Sequence, residues 1–248
     1  MSLINIDSDL KSLVVIIARG GSKGIPRKNL SDIGGKPLVS HIVETALSAA
    51  DELKFDVILS TDSEEIRQVA QDSGAWAPFL RPPELAEDDV PSWPVVQHAV
   101  KQAESIKQTR YDLIIYLQPT APLCRAEDIL RCIHTLATNP EAESAVAITE
   151  VDTHPFRMKR MLSDGRLINY IDQGFEDMRP RQKLPKVYRR AGSIYVSRRK
   201  VVMEDDTLVG DPCIGVLVPP MTAIDVDTEV DLEIVRVLYE RNKSSSGE

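Results

Sequence analysis

Cysteine is scarce in this chain: Cys124, Cys132 and Cys213 are scattered, odd in number and in no Cys-x-x-Cys pair. That excludes a disulfide framework and a cysteine-built zinc site, and it points to a reducing compartment. No apolar run approaches the roughly 20 residues that cross a bilayer, and Met1 to Leu10 lacks the charged-then-apolar order of a secretory signal. The protein is therefore expected to be cytoplasmic, with no membrane partner. Surplus positive charge is missing too. With 30 Lys and Arg against 38 Asp and Glu the formal net charge is −8, which argues against nucleic acid and anionic membranes as partners. The chain has no internal repeat, no Gly-Lys-Ser/Thr closing a P-loop, and no Gly-x-Gly-x-x-Gly spacing.

What is present is an ordinary soluble composition, 42% hydrophobic and 27% charged over 248 residues, enough for one large α/β domain or one domain with a modest insertion. Strand-like and helix-like segments alternate, the mark of a mainly parallel sheet between two helical layers. Buried strands are expected at residues 13–18, 56–60, 111–117 and 144–149, with shorter ones at 193–197, 213–218 and 223–226; 75–80 reads as a short extended piece. Helices are expected over 37–50, from a Thr61-Asp62-Ser63-Glu64 capping box through Asp72, from Ser92 to about Lys107, and over 126–137 and 228–241. Thr228 to Asp231 repeats the capping pattern, and residues 243–248 read as a frayed tail. The alternation breaks over residues 152–187, which are polar, basic and turn-rich, with Asp164-Gly165 marking a hairpin. This reads as an insertion, so the main domain comprises residues 1–151 and 188–248.

Because the overall charge is negative, an anionic substrate needs local cations, and two stretches supply them. Residues 19–36 hold five cations against one acid, and residues 157–190 hold ten against four. The first follows the run Leu13-Val14-Val15-Ile16-Ile17-Ala18, so Arg19-Gly20-Gly21-Ser22-Lys23-Gly24-Ile25-Pro26-Arg27-Lys28-Asn29 reads as a buried strand opening into a cradle of glycine backbone and cations that suits a triphosphate. A solvated basic turn is the plainer alternative. Asp225-Val226-Asp227 is expected at a strand end, where alternation sets both carboxylates on one side as hard oxygen ligands for Mg²⁺; alternatively the two are a surface charge and a residue favoured near a helix N-terminus. Gln118-Pro119-Thr120-Ala121-Pro122 leaves a buried strand as a proline-stiffened loop, where open α/β sheets bind ligands.

These segments together resemble the acylneuraminate cytidylyltransferase family. Ala18 to Asn29 match its Ala-Arg-x-x-Ser-Lys-Gly-x-x-x-Lys-Asn loop without a gap. Leu117 to Leu123 match Leu-Gln-Pro-Thr-Ser-Pro-Leu, Leu80-Arg81-Pro82 with Ser92 match its cytosine segment, and Asp225 to Thr228 match Asp-x-Asp-Thr. Arg179-Pro180-Arg181-Gln182 and Arg189 to Tyr195 match Pro-Arg-Gln and Arg-x-Asn-Gly-x-Ile-Tyr.

The resemblance covers about residues 13 to 240 and implies a three-layer Rossmann-like nucleotidyltransferase fold with a small dimerisation insertion. It implies transfer of CMP from CTP to the anomeric hydroxyl of a nine-carbon α-keto sugar acid of sialic, legionaminic or pseudaminic type, with Mg²⁺ as cofactor, pyrophosphate as product and a homodimer as the assembly. Arg19, Lys28, Asp225 and Asp227 would be catalytic, with Asp225 and Asp227 holding the metal. Ala18, Arg19, Ser22, Lys23, Lys28, Asn29, Arg81, Ser92 and Gln118 would bind the nucleotide; Gln118, Arg181, Arg189 and Tyr195 would bind the sugar. The chain departs from the pattern at Cys124, where the family has Arg, and at Ala191, where it has Asn; Ala191 implies a shifted sugar pocket or a relaxed turn. Two rivals stay open. One is a cytidylyltransferase for an eight-carbon keto-deoxy acid, whose family lacks this basic loop and insertion. The other is a non-catalytic nucleotide-sugar sensor, which would have shed a metal ligand or phosphate cation.

Overall fold

The computed structural model describes residues 10–172 and 174–245. In chain order the elements are β1 (Ser12–Ile17), β2 (Asp32–Ile33), β3 (Lys36–Pro37), α1 (Leu38–Leu53), β4 (Asp56–Ser60), α2 (Glu64–Asp72), α3 (Ser92–Lys107), β5 (Leu113–Leu117) and α4 (Ala126–Ala137). They continue with β6 (Ser144–Glu150), β7 (Lys159–Met161), β8 (Leu167–Asn169), β9 (Tyr188–Arg198), α5 (Arg199–Met203), β10 (Cys213–Leu217) and α6 (Glu229–Ser245). The main sheet has the order β10-β6-β9-β5-β1-β4. All its pairings are parallel except those of β9, which runs antiparallel between β5 and β6.

A sheet covered on both faces needs strands apolar on both faces, and β1 meets that demand: Leu13, Val14, Val15 and Ile16 are all fully buried. Alternation divides them. Val14 and Ile16 pack with Ile42 and Val43 of α1, Ile66 of α2 and Ile133 of α4, whereas Leu13 and Val15 pack with Val96, Ala99 and Val100 of α3 and Val202 of α5. The three-layer α/β architecture expected from the alternation is what forms. Cys124 and Cys132 lie buried in the first of these layers, where burial pushes both thiols far above their ordinary range, that of Cys132 to about 12. At these positions cysteine packs as a small apolar group.

The chain leaves the sheet at Glu150 and rejoins it at Tyr188. Between them lies an arm in which β7 and β8 form a separate antiparallel pair, turning through Gly165 at φ +84°, as Asp164-Gly165 predicts.

Four local expectations are corrected. Residues 223–226 form no strand; a short 3₁₀ turn at Pro220–Ala223 leads into an extended loop. That loop is fixed by a long-range bond, from the Val226 N–H to the Thr120 carbonyl at 2.8 Å, in place of a sheet ladder. The cap of α2 is Ser63, whose hydroxyl accepts from the Ile66 N–H; Thr61 instead accepts from the Ser63 N–H. Strand β9 begins at Tyr188, five residues before the expected start; the apolar run does not announce this earlier beginning, because Tyr188, Arg189 and Arg190 are exposed and two of them cationic. Helix α6 continues to Ser245, into the expected tail, whose last residues lie outside the described ones. Its start follows the pattern: Thr228 Oγ1 accepts from the Asp231 N–H and the Asp231 carboxylate accepts from the Thr228 N–H.

Candidate active site

Parallel strands β1, β4 and β5 end at the same edge, and between β1 and β5 the strand order reverses, which is where an open α/β sheet leaves a crevice. The loops after these strands enclose a cleft of about 260 Å³. Of the residues singled out in the sequence, Arg19, Ser22, Lys28, Asn29, Arg81, Ser92 and Gln118 line it. Sequence separations of up to 99 residues within that set collapse to one cavity because three strand ends are neighbours.

The basic loop is held by contacts that aim its cations. Asn29, nearly buried, donates from Nδ2 to the Arg19 carbonyl at 2.8 Å and so closes the loop across its base. Lys28 Nζ donates to the Val226 carbonyl at 2.8 Å and to Asp227 Oδ1 at 3.1 Å, with its side chain only 15% exposed. Gly24 is required here, since a Cβ would stand 2.6 Å from the Asp227 carbonyl oxygen. Ala18, buried at the strand exit, donates its N–H to the Ser60 carbonyl and shows no side chain to the cleft. Arg27, by contrast, pairs with Glu65 at the start of α2 and faces away from the cleft.

Two acids missed by motif reading, Asp62 and Asp88, organise the cations of the site. Asp62 accepts from the Gly20 N–H at 2.9 Å and from Arg81 at 3.1 Å with the same oxygen, so it ties the glycine turn to the arginine. Arg81 is 4% exposed, and burial pulls its guanidinium below the usual arginine range, with the Asp62 contact opposing. Its Nε is buried without a partner, a donor left over in a dry corner. Asp88 pairs with both Arg19 at 2.5 Å and Lys23 at 2.7 Å, and those two cations, Lys23 foremost, hold its carboxyl below the ordinary range. Asp231 caps α6 behind Asp227. The sequence signal for Asp62 was its place at a strand end; nothing local marks Asp88, which meets Arg19 across 69 residues.

Asp225 and Asp227 are unlike in setting. Asp227 is exposed and held by Lys28. Asp225 is half-buried, and burial raises its carboxyl above the ordinary range, with Asp227 adding to the rise and Thr120 and Lys28 opposing it. Its Oδ1 is buried with no partner. Strand β9 passes close to this carboxylate. The β6–β9 register breaks so that Val146 faces Tyr195 while Ile148 faces Arg190, and in the bulge Gly192, at φ +79°, would carry a Cβ 3.3 Å from Asp225 Oδ2. Ala191, fully buried beside it, packs into the core with Ile194, so the polar contact expected of Asn at this position is replaced by apolar packing. Among the described residues no group of three or more His, Cys, Asp or Glu side chains forms a ready-made metal cage. Two carboxylates, one with an orphaned buried oxygen and the other exposed, supply the hard oxygen donors that suit the partly hydrated Mg²⁺ ion.

Of the sugar candidates, Tyr195 stacks on Tyr116 with ring centroids 5.6 Å apart, and Tyr116 donates its hydroxyl to Ser92 Oγ at 3.3 Å. Ser92 is the first helical residue of α3 and caps nothing; its hydroxyl faces the cleft. Arg189 donates to the Ala223 carbonyl at 3.3 Å and does not line the cleft. Arg181 lies at the foot of the arm, donating to the Val151 carbonyl at 2.6 Å in a separate cavity of about 340 Å³ beside His154 and Leu184.

A family model described as cytidylyltransferase matches residues 13–218. The chain is 37% identical to a pseudaminic acid cytidylyltransferase of Campylobacter jejuni, over 96% of this chain and all of that protein. It is 28% identical to a CMP-N,N'-diacetyllegionaminic acid synthase of Legionella pneumophila, over 95% of this chain and 99% of that one. Among solved structures, a CMP:2-keto-3-deoxy-manno-octonic acid synthetase complexed with CTP superposes with a TM-score of 0.65 at 23% identity, over 94% of this chain and 99% of that chain, a likeness of fold.

Proposed function

The chain belongs to the cytidylyltransferase family, and from that footing we propose that it transfers CMP from CTP to the anomeric hydroxyl of a nine-carbon α-keto sugar acid of the pseudaminic type. The observation that carries the reading is the junction of Lys28 with Asp227 and the Val226 carbonyl, which joins a phosphate cradle to a carboxylate pair at the crevice of the sheet. The sugar hydroxyl attacks the α-phosphorus in line and loses its proton, the bond to the bridging oxygen breaks, and pyrophosphate leaves with the electron pair.

That reaction asks the protein mainly for alignment and for positive charge where charge builds up. Arg19, Lys23 and Lys28, with Ser22 and Asn29, hold the triphosphate and then the pyrophosphate. Arg81, with its unpartnered Nε, and Ser92 face the base; Gln118 lies between nucleotide and sugar. Asp225 and Asp227 would hold Mg²⁺, which when bound lowers the charge cost at the α-phosphate and the acidity barrier of the hydroxyl. Asp88 occupies the cations in the absence of nucleotide and yields them to phosphate oxygens.

The arm, residues 152–187, is read as the dimerisation element. Exposed Met161, Tyr170, Phe175 and Met178, the last 81% exposed, support this. In such a pair Arg181 would serve the partner's site. No described helix is long and apolar enough to cross a membrane, and a CTP-dependent reaction fits the cytoplasm.

The test is pyrophosphate release from CTP with pseudaminic, diacetyllegionaminic, N-acetylneuraminic and eight-carbon keto-deoxy acids, with EDTA and UTP controls. Metal-dependent turnover is expected with pseudaminic acid first. Turnover of the eight-carbon acid alone, or silence with every acid despite CTP binding, would overturn the reading.

A further inference from the structure

A second cavity, also about 260 Å³, opens beside the cleft and shares Ser92, Tyr116 and Gln118 with it. Its remaining wall includes Trp93, Tyr195 and Leu208, and its one charged lining residue among the described residues is Arg190. That guanidinium has no hydrogen bond or ion pair among the described residues, in contrast to its neighbours in the sugar set. Arg189 is committed to the Ala223 carbonyl and Arg181 to the Val151 carbonyl. The reason lies in the strand: successive residues of β9 face opposite sides, so Arg189 and Arg190 cannot share a target. Tyr195 registers the same charge. Burial raises its hydroxyl above the ordinary range, and Arg190 acts against the rise.

An unpaired arginine at the edge of a cavity has its planar fork of donors free to receive an anion bound there. Both substrates of the proposed reaction are anions, and the triphosphate already has Arg19, Lys23 and Lys28. The sugar's anion is its C1 carboxylate, next to the anomeric hydroxyl that must reach the α-phosphorus, and a planar carboxylate matches guanidinium in a two-point contact. Gln118 and Tyr195, already read as sugar contacts, line this cavity, and we propose that Arg190 anchors the sugar's carboxylate there. The proposal rests on the transfer reading above and gives the carboxylate to Arg190 in place of Arg181 and Arg189, the two arginines that the resemblance assigns to the sugar.

The experiment compares pseudaminic acid, or whichever nine-carbon acid the wild type turns over, with its C1 carboxamide. The full-length wild type, Arg190→Ala, Arg190→Lys and Arg181→Ala are assayed for kcat/KM on both, and for KM of CTP. Wild type is expected to prefer the acid by about 10- to 100-fold, the worth of one charge-assisted contact. In Arg190→Ala that preference falls to about one while the KM for CTP stays put, and Arg190→Lys recovers part of it. Since Arg190 is exposed and its guanidinium makes no hydrogen bond or ion pair among the described residues, melting temperatures should match. Undiminished preference in Arg190→Ala overturns the anchor while leaving the transfer reading standing, and collapse in Arg181→Ala alone gives the role to Arg181. Wild-type silence with every acid overturns both.

Discussion

The two stretches of surplus positive charge, residues 19–36 and 157–190, have been put to different structural uses. In the cleft, cations meet partners from distant parts of the chain: Arg19 finds Asp88 across 69 residues, and Lys28 finds Asp227 across 199. In the arm they meet neighbours: Arg166 pairs with Asp164 and Arg179 with Asp177, each two residues apart, and Lys159 with Glu176 seventeen apart. A pair two residues apart needs only a turn. A pair 199 residues apart exists only when β1, β5 and the loop after β10 are in register, so its geometry belongs to the fold, and fixed charge is what transfer chemistry requires.

The hardest test of that contrast is to break the long pair. Lys28→Ala and Asp227→Ala should each lower turnover by about 100- to 1,000-fold with circular dichroism near wild type; the melting temperature should hold in Asp227→Ala, because Asp227 is exposed and α6 keeps its Thr228–Asp231 cap, and fall somewhat in Lys28→Ala, which takes a donor from the Val226 carbonyl. Wild-type rates in either variant would mean that the joined cradle and carboxylate have no part in chemistry.

Next comes the buried half of the carboxylate pair. Burial raises the Asp225 carboxyl above its unfolded value, so folding disfavours the ionised form: stability is lost as pH rises through the folded value, and the ionised group strains the fold at neutral pH. Asp225→Asn should therefore melt higher than wild type at pH 7 without metal, with the gap closing as pH falls, and should be nearly inactive. A lower melting temperature at pH 7 would show that Thr120 and Lys28 outweigh burial.

The contrast also sorts what was legible in the sequence. Strand β4 and helix α4 have the bounds that their apolar spacing and flanking residues predict, and the arm's hairpin turns where Asp164-Gly165 requires, since these are local properties. The basic loop was visible because glycines and cations crowd into eleven residues. Asp62, Asp88 and Arg190 were not, because each acquires its meaning from a residue that only the sheet brings near. The expected strand at residues 223–226 failed for the converse reason: three of its four residues are apolar, but Val226 bonds to the loop after β5, leaving Asp225 and Asp227 in unlike surroundings.

A smaller effect separates holding a cation from using it. Asp88, 44% exposed, occupies Arg19 and Lys23 where phosphate is to bind. Asp88→Asn should lower the KM for CTP by about two- to five-fold at low salt, an advantage that fades as salt screens the pair. A higher KM would instead make Asp88 part of the nucleotide's own setting.

The least effect is expected in the arm, and its size carries information. Arg166 and Asp164 are 75% and 51% exposed, and Asp164 still accepts from the Arg166 backbone N–H when the side chain is removed. In an isolated chain Arg166→Ala should move the melting temperature by less than about 1 °C and leave the KM for CTP alone, because a solvated pair returns little for the order it imposes. The same variant examined across protein concentration separates two states of the arm. If a second copy covers Met161 and Leu167, which flank this turn, the pair is drawn out of water at high concentration, and its loss then shows as a concentration-dependent drop that the cleft variants do not share.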